Sequence, residues 1–457
     1  MTAPGALAYV PADVDTPDGH LDDRYGAFLE AAVMAAPLPD FGVRGDPYPA
    51  LGALVLDADA ARSLVRATER LARVFASATD AAVSDPGALE RCGFPPPFIC
   101  MARREAPGAM PVLGRFDFMR DPKPWPGGDD PTGAWRAVEF NADTPSGLRE
   151  VVSLEPLVRR HLPHTMAGLA PMATGVARRI GIAVAKAVAA PLPSGRTITT
   201  VGVVADPAYL EDTCQAIGFA RAIGPTLARQ GVRVAFGAVA TLHRRGNRAW
   251  LRDTPIDALY RHAAIEAWPG TAAWDVMEVA TAAGELRLVN GLRGVVAQNK
   301  GLMAWIWGRR DDASTFDADA RAAIRTYLPP TTWVEVIPPA PVRPGLVVKQ
   351  AFGREGAEVA LGADLDEAGW DSCVRWGSYV AQARVPSVPT VAALPTRRGH
   401  VVAEAWPVVG GMVSGGRWAG AYGRLGGTVT RHDARWCAVL SPNRVTRSAQ
   451  APARTGA

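Results

Sequence analysis

Two short runs of alternating apolar and polar residues constrain the fold of this chain more than any other feature. The first run is RFDF at 115–118, and the second is AVEFN at 137–141. Alternation with period two is typical of β-strands, and the Pro-, Gly- and Asp-rich segment 121–133 between the runs is typical of a loop. We therefore predict two neighbouring strands that run antiparallel to each other.

The polar residues of these two strands should share one surface. Residues two apart lie on the same face of a strand. Phe116, Phe118, Val138 and Phe140 should therefore form one apolar face that is buried in the core. The opposite face would then carry the polar residues Arg115, Asp117, Glu139 and Asn141. Carboxylate and amide oxygens suit Mg²⁺, and a guanidinium binds phosphoryl oxygens in a fork geometry. The alternative is a cross-strand Arg–Glu salt bridge on a solvated face.

A second candidate site follows a predicted strand that ends at Lys349. Gly353 and Gly356 come next, three residues apart, and such a loop can bring backbone N–H groups against phosphate oxygens. No Gly-Lys-Ser/Thr follows, which disfavours a P-loop nucleotide hydrolase, and two glycines are also typical of a plain hairpin turn. Lys300 lies among apolar residues near Trp305 and is a further candidate site residue. The alternative is that Lys300 is an ordinary surface lysine.

Periodicity predicts the other elements. They are a helix over 57–78, a β-α-β unit over 197–205, 207–230 and 232–239, a hairpin over 242–252, a helix over 257–268, strands over 346–349, 379–382 and 400–406, and a Gly-rich meander over 409–429. The middle third of the chain is therefore expected to be α/β in character.

Composition excludes several classes of protein. With 48% apolar and 21% charged residues, the chain is typical of a globular protein, and a net charge of +4 from scattered basic residues argues against a nucleic-acid partner. No apolar run reaches the length of a membrane span, and the acidic start is unlike a signal peptide. The five cysteines have no metal-site or disulfide spacing, and no GxSxG nucleophile motif occurs. We expect a soluble cytoplasmic protein without membrane partners and without covalent nucleophilic catalysis.

Taken in order, these segments resemble the synthetase domain of the glutathionylspermidine synthase family, a circularly permuted branch of the ATP-grasp fold. The similarity covers most of residues 110–440, and its stretches are RFDF at 115–118, VEFNADTPSG at 138–147, VNGLRGVVAQNKGLMAWIW at 289–307, YLPPTTW at 327–333, VVKQAFGREGAEV at 347–359, YVAQARVPSVP at 379–389 and WAGAYGRLGGTVT at 418–430.

This resemblance implies an α/β (α+β) fold, ATP-grasp-like, with a Rossmann-like pre-ATP-grasp domain and permuted strand order. The expected division is an N-terminal region with the metal-binding strand pair (1–195), the Rossmann-like domain (196–300), a nucleotide-binding lobe (301–443) and a disordered tail (444–457).

The resemblance also implies roles for individual residues. Mg²⁺ would be bound by Asp117, Glu139 and Asn141. ATP would be bound by Arg115, Lys300, Lys349, Gly353, Arg354, Glu355, Gly356 and Gln382, with Arg115 on the transferred phosphoryl group and Gln382 near the adenine. The substrate would be bound by Thr144, Ser146 and Arg424.

The activity implied is that of an ATP-dependent carboxylate–amine ligase that uses ATP and Mg²⁺ and forms an acyl phosphate. Its partners would be a small-molecule or peptide carboxylate and an amine acceptor. Gly147 stands where the family often carries a side chain near the peptide substrate, so the sequence leaves both substrates open. The alternatives are a non-catalytic relative that binds nucleotide or peptide, and a kinase of a small carboxylate or peptide.

Overall fold

The computed structural model of the protein describes residues 7–35, 42–43, 45–108, 110–123, 125, 128–130, 135–337, 343–353, 359–431 and 433–442. Up to residue 195 the strands are β1 (Leu7–Val10), β2 (Asp15–Thr16), β3 (Gly19–His20), β4 (Gly42–Val43), β5 (Asp46–Pro47), β6 (Pro49–Leu56), β7 (Gly114–Arg120), β8 (Trp135–Asn141) and β9 (Leu169–Pro171). The helices there are α1 (Leu21–Ala35), α2 (Ala58–Ser84), α3 (Pro86–Arg91), α4 (Pro96–Arg104), α5 (Glu155–His161) and α6 (Val176–Ala189), and a π-helical turn covers Glu150–Leu154.

The middle and last thirds continue the same alternation of strands and helices. Over residues 196–299 the elements are β10 (Thr200–Ala205), α7 (Leu210–Ala228), β11 (Arg233–Ala238), β12 (Leu242–Arg245), β13 (Arg248–Leu251), β14 (Thr254–Pro255), β15 (Ala258–His262), α8 (Ala272–Ala282), β16 (Arg287–Val289) and α9 (Leu292–Gln298). After them come α10 (Lys300–Gly308), α11 (Ala318–Tyr327), β17 (Thr331–Trp333), β18 (Leu346–Gln350), β19 (Val359–Leu361), α12 (Glu367–Trp376), β20 (Tyr379–Ala383), β21 (Thr390–Thr396), β22 (Gly399–Ser414), β23 (Arg417–Gly426) and β24 (Arg435–Pro442).

Three sheets of the described chain build the body of the molecule. The largest has the order β1-β6-β24-β23-β22-β7-β8, with β21 beside β22 and β9 beside β24. A parallel sheet has the order β11-β10-β15-β16, and an antiparallel sheet has the order β17-β20-β18-β19. The largest sheet thus joins β7 and β8, which lie early in the chain, to strands that come about 300 residues later.

Helix α2 explains why β7 and β8 keep one apolar face inward. Asp57 caps its N-terminus by accepting a hydrogen bond from the Ala60 N–H, and a stripe of apolar side chains covers one side of the helix. Phe75 from this stripe packs edge-on against Phe116 and Phe140, at centroid distances of 5.2 and 5.1 Å. Because these rings are fully buried, the polar residues of the two strands must face the other way.

Most of the predicted elements are confirmed. β7 and β8 pair antiparallel, β10-α7-β11 is a parallel β-α-β unit, and the hairpin over 242–252 is present as β12 and β13. The predicted helix over 57–78 is α2, which continues to Ser84. The strands expected near Lys349, Gln382 and His400 are β18, β20 and β22.

The predicted helix over 257–268 is wrong. Residues Ala258–His262 form β15, which lies between β10 and β16 in the parallel sheet. All five of its residues are buried, because a central parallel strand is covered on both faces and therefore lacks the alternation that identifies a half-exposed strand.

The mixed α/β architecture matches the expected ATP-grasp-like fold, while the division of the chain into domains stays a prediction. The predicted tail at 444–457 lies outside the described residues. None of the helices in the described part of the chain combines the length and apolar character that crossing a bilayer requires.

Candidate active site

The strand pair β7–β8 brings the four predicted polar residues to one surface. Asp117 lies opposite Glu139, and Arg115 lies opposite Asn141. Beneath them the Phe116 and Phe140 rings stack with their centroids 3.9 Å apart. The alternation of the sequence therefore translates directly into an apolar face on the core and a polar face on a cavity.

A β-bulge changes one detail of this prediction. Phe118 pairs with Ala137 while Asp117 pairs with Glu139, so Val138 is an extra residue on β8. Val138 consequently lines the cavity instead of joining the phenylalanines in the core. Its carbonyl oxygen accepts a hydrogen bond of 2.9 Å from Lys349 Nζ, which links the large sheet to β18.

Asp117 is the centre of a network of positive charge. Arg115 donates to both carboxylate oxygens, from Nε at 2.6 Å and Nη2 at 3.0 Å, and Arg424 Nη2 donates at 2.9 Å. Asn141 Nδ2 adds a fourth hydrogen bond of 3.2 Å. Burial opposes ionisation of Asp117, but the two guanidinium groups outweigh it and hold its pKa below the usual value.

Lys300 occupies a buried position at the start of α10 and is not an ordinary surface lysine. Asn299 caps this helix by accepting a hydrogen bond from the Gly301 N–H, which fixes where the lysine emerges. Lys300 Nζ lies 2.8 Å from Glu139 Oε1 and donates a hydrogen bond of 2.6 Å to the Gly353 carbonyl. Burial opposes ionisation of Glu139, yet the Lys300 ammonium keeps its pKa below the usual value.

Lys349 and Gln382 meet across the neighbouring strands β18 and β20. Lys349 Nζ donates a hydrogen bond of 2.7 Å to Gln382 Oε1, and Gln382 Nε2 donates to Thr331 Oγ1 at 3.2 Å. The Lys349 side chain is so deeply buried that its pKa falls to about 8, despite the nearby Glu139 carboxylate. The charge of this lysine can therefore be removed by raising the pH above about 8.

The loop after β8 is held in place from three sides. Gln298 Oε1 accepts hydrogen bonds from the Ala142 and Asp143 N–H groups, and Asn290 Nδ2 donates to the Ala142 carbonyl. The buried Asp143 carboxylate forms an ion pair with Arg261 of β15. At the end of this loop Ser146 accepts two hydrogen bonds from Arg115 Nη1, through its carbonyl oxygen at 2.7 Å and its hydroxyl at 3.0 Å.

These contacts surround one cavity of about 950 Å³. Every predicted site residue that the structure describes lines it, namely Arg115, Asp117, Glu139, Asn141, Thr144, Ser146, Lys300, Lys349, Gly353, Gln382 and Arg424. The remaining predicted residues, Arg354, Glu355 and Gly356, lie outside the described part of the chain. Side chains that are separated by up to about 300 positions along the chain therefore share one site.

Comparison with known proteins identifies the family. The model of the family described as "Glutathionylspermidine synthase preATP-grasp" matches residues 40–440. The chain belongs to this family. No curated protein matches the sequence.

Two solved structures match this chain at low sequence identity. A glutathione synthetase-like effector from Globodera pallida, in its apo form, superposes with a TM-score of 0.55 at 11% identity, covering 92% of this chain and 96% of the other. A structure titled putative gamma-glutamylcysteine synthetase from Methylobacillus flagellatus KT matches with a TM-score of 0.40 at 12% identity, covering 79% and 82%. The first similarity supports the ATP-grasp-like, glutathione synthetase-like fold of this family member.

The sequence analysis missed an acidic end of the same cavity. This acidic end consists of Asp206, Glu211 and Asp212, which follow β10 and begin α7, together with the exposed Tyr209. Ligands of open α/β sheets bind beyond the carboxyl ends of parallel strands. The segment DPAYLED, directly after an apolar strand in a β-α-β unit, was therefore an available signal.

The donor set of this family member fits Mg²⁺. Asp117 and Glu139 present two carboxylates opposite each other, Asn141 adds an amide oxygen, and the Glu139 side chain is 23% exposed towards the cavity. Mg²⁺ typically takes one or two carboxylates from a protein and completes its shell with substrate phosphates and water. Four cationic side chains surround these two carboxylates, so the site also carries the positive charge that polyphosphate needs.

Proposed function

We propose that the protein is an ATP-dependent ligase that joins a carboxylate to an amine through an acyl phosphate. The observation that carries this proposal is the convergence of Asp117, Glu139, Lys300, Lys349 and Arg115 on one cavity. Its volume of about 950 Å³ lies at the upper end of the range for small-molecule sites, which suits a nucleotide together with a second substrate.

The reaction needs no protein nucleophile. A substrate carboxylate oxygen attacks the γ-phosphorus of ATP, the bond to the β-phosphate oxygen breaks, and ADP leaves. The amine nitrogen then attacks the acyl carbon, phosphate leaves, and the nitrogen loses a proton. The work of the protein is to position the reactants and to stabilise developing negative charge.

The basic residues divide this work between them. Lys300 and Lys349 would hold ATP phosphates, with Gln382 beside Lys349 on the nucleotide side and the segment from Gly353 covering the phosphates. Arg115 would contact the transferred phosphoryl group, and Thr144, Ser146 and Arg424 would orient the substrate carboxylate. Mg²⁺ held by Asp117, Glu139 and Asn141 would neutralise phosphate charge.

The two ends of the cavity favour a ligase over a kinase. A kinase needs a phosphate end and one acceptor, whereas this cavity also has the acidic end at Asp206, Glu211 and Asp212. Carboxylates at that end would attract a cationic amine, because opposite charges lower the free energy of the bound state.

The test is a screen of carboxylate and amine pairs, beginning with glutathione and spermidine, scored by ADP and amide formation. We expect ADP release that depends on both substrates. ADP release that needs the carboxylate but no amine would support the kinase, and ATP binding without turnover for any pair would support the non-catalytic relative.

Substitution of the carboxylates tests the site itself. Glu139→Gln and Asp117→Asn should each lower kcat by about 10²- to 10³-fold, comparable to the loss of one preorganised electrostatic contact. Asp275→Asn is a matched control, because Asp275 forms an exposed ion pair with Arg244 away from these residues. Wild-type turnover in Glu139→Gln, with an unchanged melting temperature, would contradict the assignment.

A further inference from the structure

The guanidinium of Arg115 packs against the ring of Tyr422, which is not one of the predicted site residues. The guanidinium carbon lies 4.9 Å from the centroid of the Tyr422 ring, and that of Arg424 lies 6.0 Å from the same centroid. Tyr422 on β23 thus lies beside both arginines that hold Asp117. A cation over an aromatic face is attracted to it, and the attraction is stronger when water is excluded.

Two glycines make room for this arrangement. A Cβ on Gly147, where φ is +101°, would lie 2.5 Å from the Tyr422 ring, and a Cβ on Gly410 would lie 2.6 Å from Arg115 Cδ. Any side chain at either position would push Tyr422 or Arg115 aside. The absence of a side chain at Gly147 is therefore matched by the place that Tyr422 occupies.

The Tyr422 hydroxyl is held by a buried chain of hydrogen bonds. It lies 2.9 Å from the Tyr48 hydroxyl, and Tyr48 donates to Glu150 Oε1 at 3.3 Å. Glu150 is completely buried and also accepts hydrogen bonds from Gln215 Nε2 at 2.9 Å and from Arg149 Nη2 at 3.0 Å. Either hydroxyl can be the donor in the Tyr48–Tyr422 hydrogen bond, and in both cases the bond holds the Tyr422 side chain against Tyr48.

Both hydroxyls keep their protons in the working pH range. Burial raises the pKa of Tyr422 to about 12, with a further contribution from Glu150, and burial raises that of Tyr48 as well. The Tyr422–Tyr48–Glu150 chain therefore consists of two protonated hydroxyls that end on the Glu150 carboxyl group. Three donor groups, Tyr48, Arg149 and Gln215, bind Glu150 at one end of this chain, and the Tyr422 ring supports Arg115 at the other.

We infer that Tyr422, oriented by Tyr48 and Glu150, is a positioning residue that fixes the guanidinium of Arg115 for phosphoryl transfer. This inference rests on the proposed function, since it assigns the positioning to that reaction. Arg115 uses Nε and one Nη2 hydrogen on Asp117 and both Nη1 hydrogens on Ser146. One Nη2 hydrogen is left for a phosphoryl oxygen, while Tyr422 supports the face of the guanidinium.

The chain of contacts also ties the two ends of the cavity together. Gln215 lies on α7, whose first turn carries Glu211 and Asp212 of the acidic end. One turn further along, Gln215 donates to Glu150, which holds Tyr48 and through it Tyr422. The same hydrogen bonds therefore connect α7 to the strand that carries Tyr422.

The kinetic test uses variants that remove the hydroxyl and the ring separately. Tyr422→Phe keeps the ring, and Tyr422→Leu removes it. We expect kcat for the best pair from the screen to fall about 2- to 5-fold in Tyr422→Phe and about 10- to 30-fold in Tyr422→Leu, as loss of a desolvated cation–π contact predicts. The Kd of a non-hydrolysable ATP analogue should change less than twofold, because Lys300 and Lys349 are untouched.

A double-mutant cycle with Arg115→Lys separates positioning from general stability. If Tyr422 acts through Arg115, then Tyr422→Leu should cause little further loss of kcat in the Arg115→Lys background, whereas additive losses would overturn the inference. Tyr25→Phe is the matched control for Tyr48→Phe, because it removes another buried hydroxyl, bonded to the Pro49 carbonyl. Tyr48→Phe should lower kcat, while Tyr25→Phe should affect only the melting temperature.

A second measurement needs no turnover. The Arg115 Nε–Hε signal in the NMR spectrum, assigned by its loss in Arg115→Lys, should exchange slowly with solvent in the ligand-free protein. In Tyr422→Leu it should exchange at least tenfold faster, and unchanged exchange would overturn the inference. If the screen finds no activity, the proposed function fails, but this measurement still decides whether Tyr422 holds Arg115.

Discussion

The two ends of the cavity are built in opposite ways. At the proposed phosphate end, formed by Arg115, Asp117, Glu139, Lys300, Lys349 and Arg424, the charges lie on strands and at the start of α10 and are bonded to one another. Most are deeply buried, with Asp117 only 2% exposed and Lys349 only 8% exposed. At the acidic end the carboxylates lie on a loop and on the first turn of α7, where Glu211 is exposed and the Asp212 side chain is 34% exposed.

We expect this difference to separate the residues that determine the reaction rate from those that select the amine. Groups that are held by buried neighbours keep their geometry without a ligand, and preorganised charge of that kind lowers a reaction barrier. Partly exposed carboxylates are screened by solvent, so they favour one charge without fixing one molecule. We therefore expect substitutions at the phosphate end to change kcat and substitutions at the acidic end to change the KM of the amine.

The largest expected effect concerns the buried ion pair between the loop after β8 and strand β15. Asp143, in the loop between Asn141 and Ser146, forms a buried ion pair with Arg261 of the parallel sheet. Arg261→Met should lower the free energy of unfolding by about 3–5 kcal/mol, because it removes the guanidinium that pairs with a buried carboxylate. The urea midpoint measures this loss.

Arg244→Met provides the matched control for Arg261→Met. Arg244 pairs with Asp275 on the surface, so its loss should cost about 0–1 kcal/mol. The double variant Arg261→Met/Asp143→Leu should regain part of the stability, since no buried charge is then left alone. Equal urea midpoints for the two arginine variants would show that the buried pair does not hold the loop.

The phosphate end was predictable because its geometry is local. Alternation at 115–118 and 137–141 fixes which side chains share a face, and burial of Phe116 and Phe140 decides which face points to the cavity. The resemblance to the family then supplied the role of Lys300, which no local pattern separates from a surface lysine, whereas the strand end and the glycines after it already marked Lys349.

What the sequence did not reveal depends on distant contacts. The bulge at Val138 arises from the register between two strands, and nothing in the residues of β8 alone marks it. Tyr48 and Tyr422 meet across 374 positions, and the pairing of Asp143 with Arg261 requires β15, which was predicted to be a helix. Pairings of this kind are decided by the topology of the whole chain.

A smaller effect should distinguish the basic residues by pH. The Lys349 pKa of about 8 lies below its usual 10.5, so the ammonium loses its proton as the pH rises through 8. The affinity for a non-hydrolysable ATP analogue should then fall by up to about tenfold per pH unit, and binding should take up a proton. Titration calorimetry in buffers of different ionisation enthalpy measures both quantities.

Stability should respond to Lys349 with the opposite sign. Between pH 8 and 10.5 the unfolded chain holds the proton that the folded protein releases, so this lysine makes the free energy of unfolding rise with pH. Lys349→Met should abolish both pH dependences, and Lys186→Met, at an exposed position of α6, should preserve them. Proton uptake that persists in Lys349→Met would assign the titration to another group.

The smallest expected effect tests the acidic end. Glu211→Gln and Asp212→Asn each remove one partly exposed charge, so each should raise the KM of a cationic amine about 2- to 5-fold, which corresponds to about 0.4–1 kcal/mol. The Kd of the ATP analogue should stay constant, because the phosphate end keeps its own partners. Added salt should weaken amine binding more in the wild type than in either variant, because each variant has one charge fewer for the salt to screen. Asp275→Asn on α8 is the control for a carboxylate outside this end and should leave the amine KM unchanged. A variant that alters ATP affinity but not the amine KM would reverse the roles we assign to the two ends.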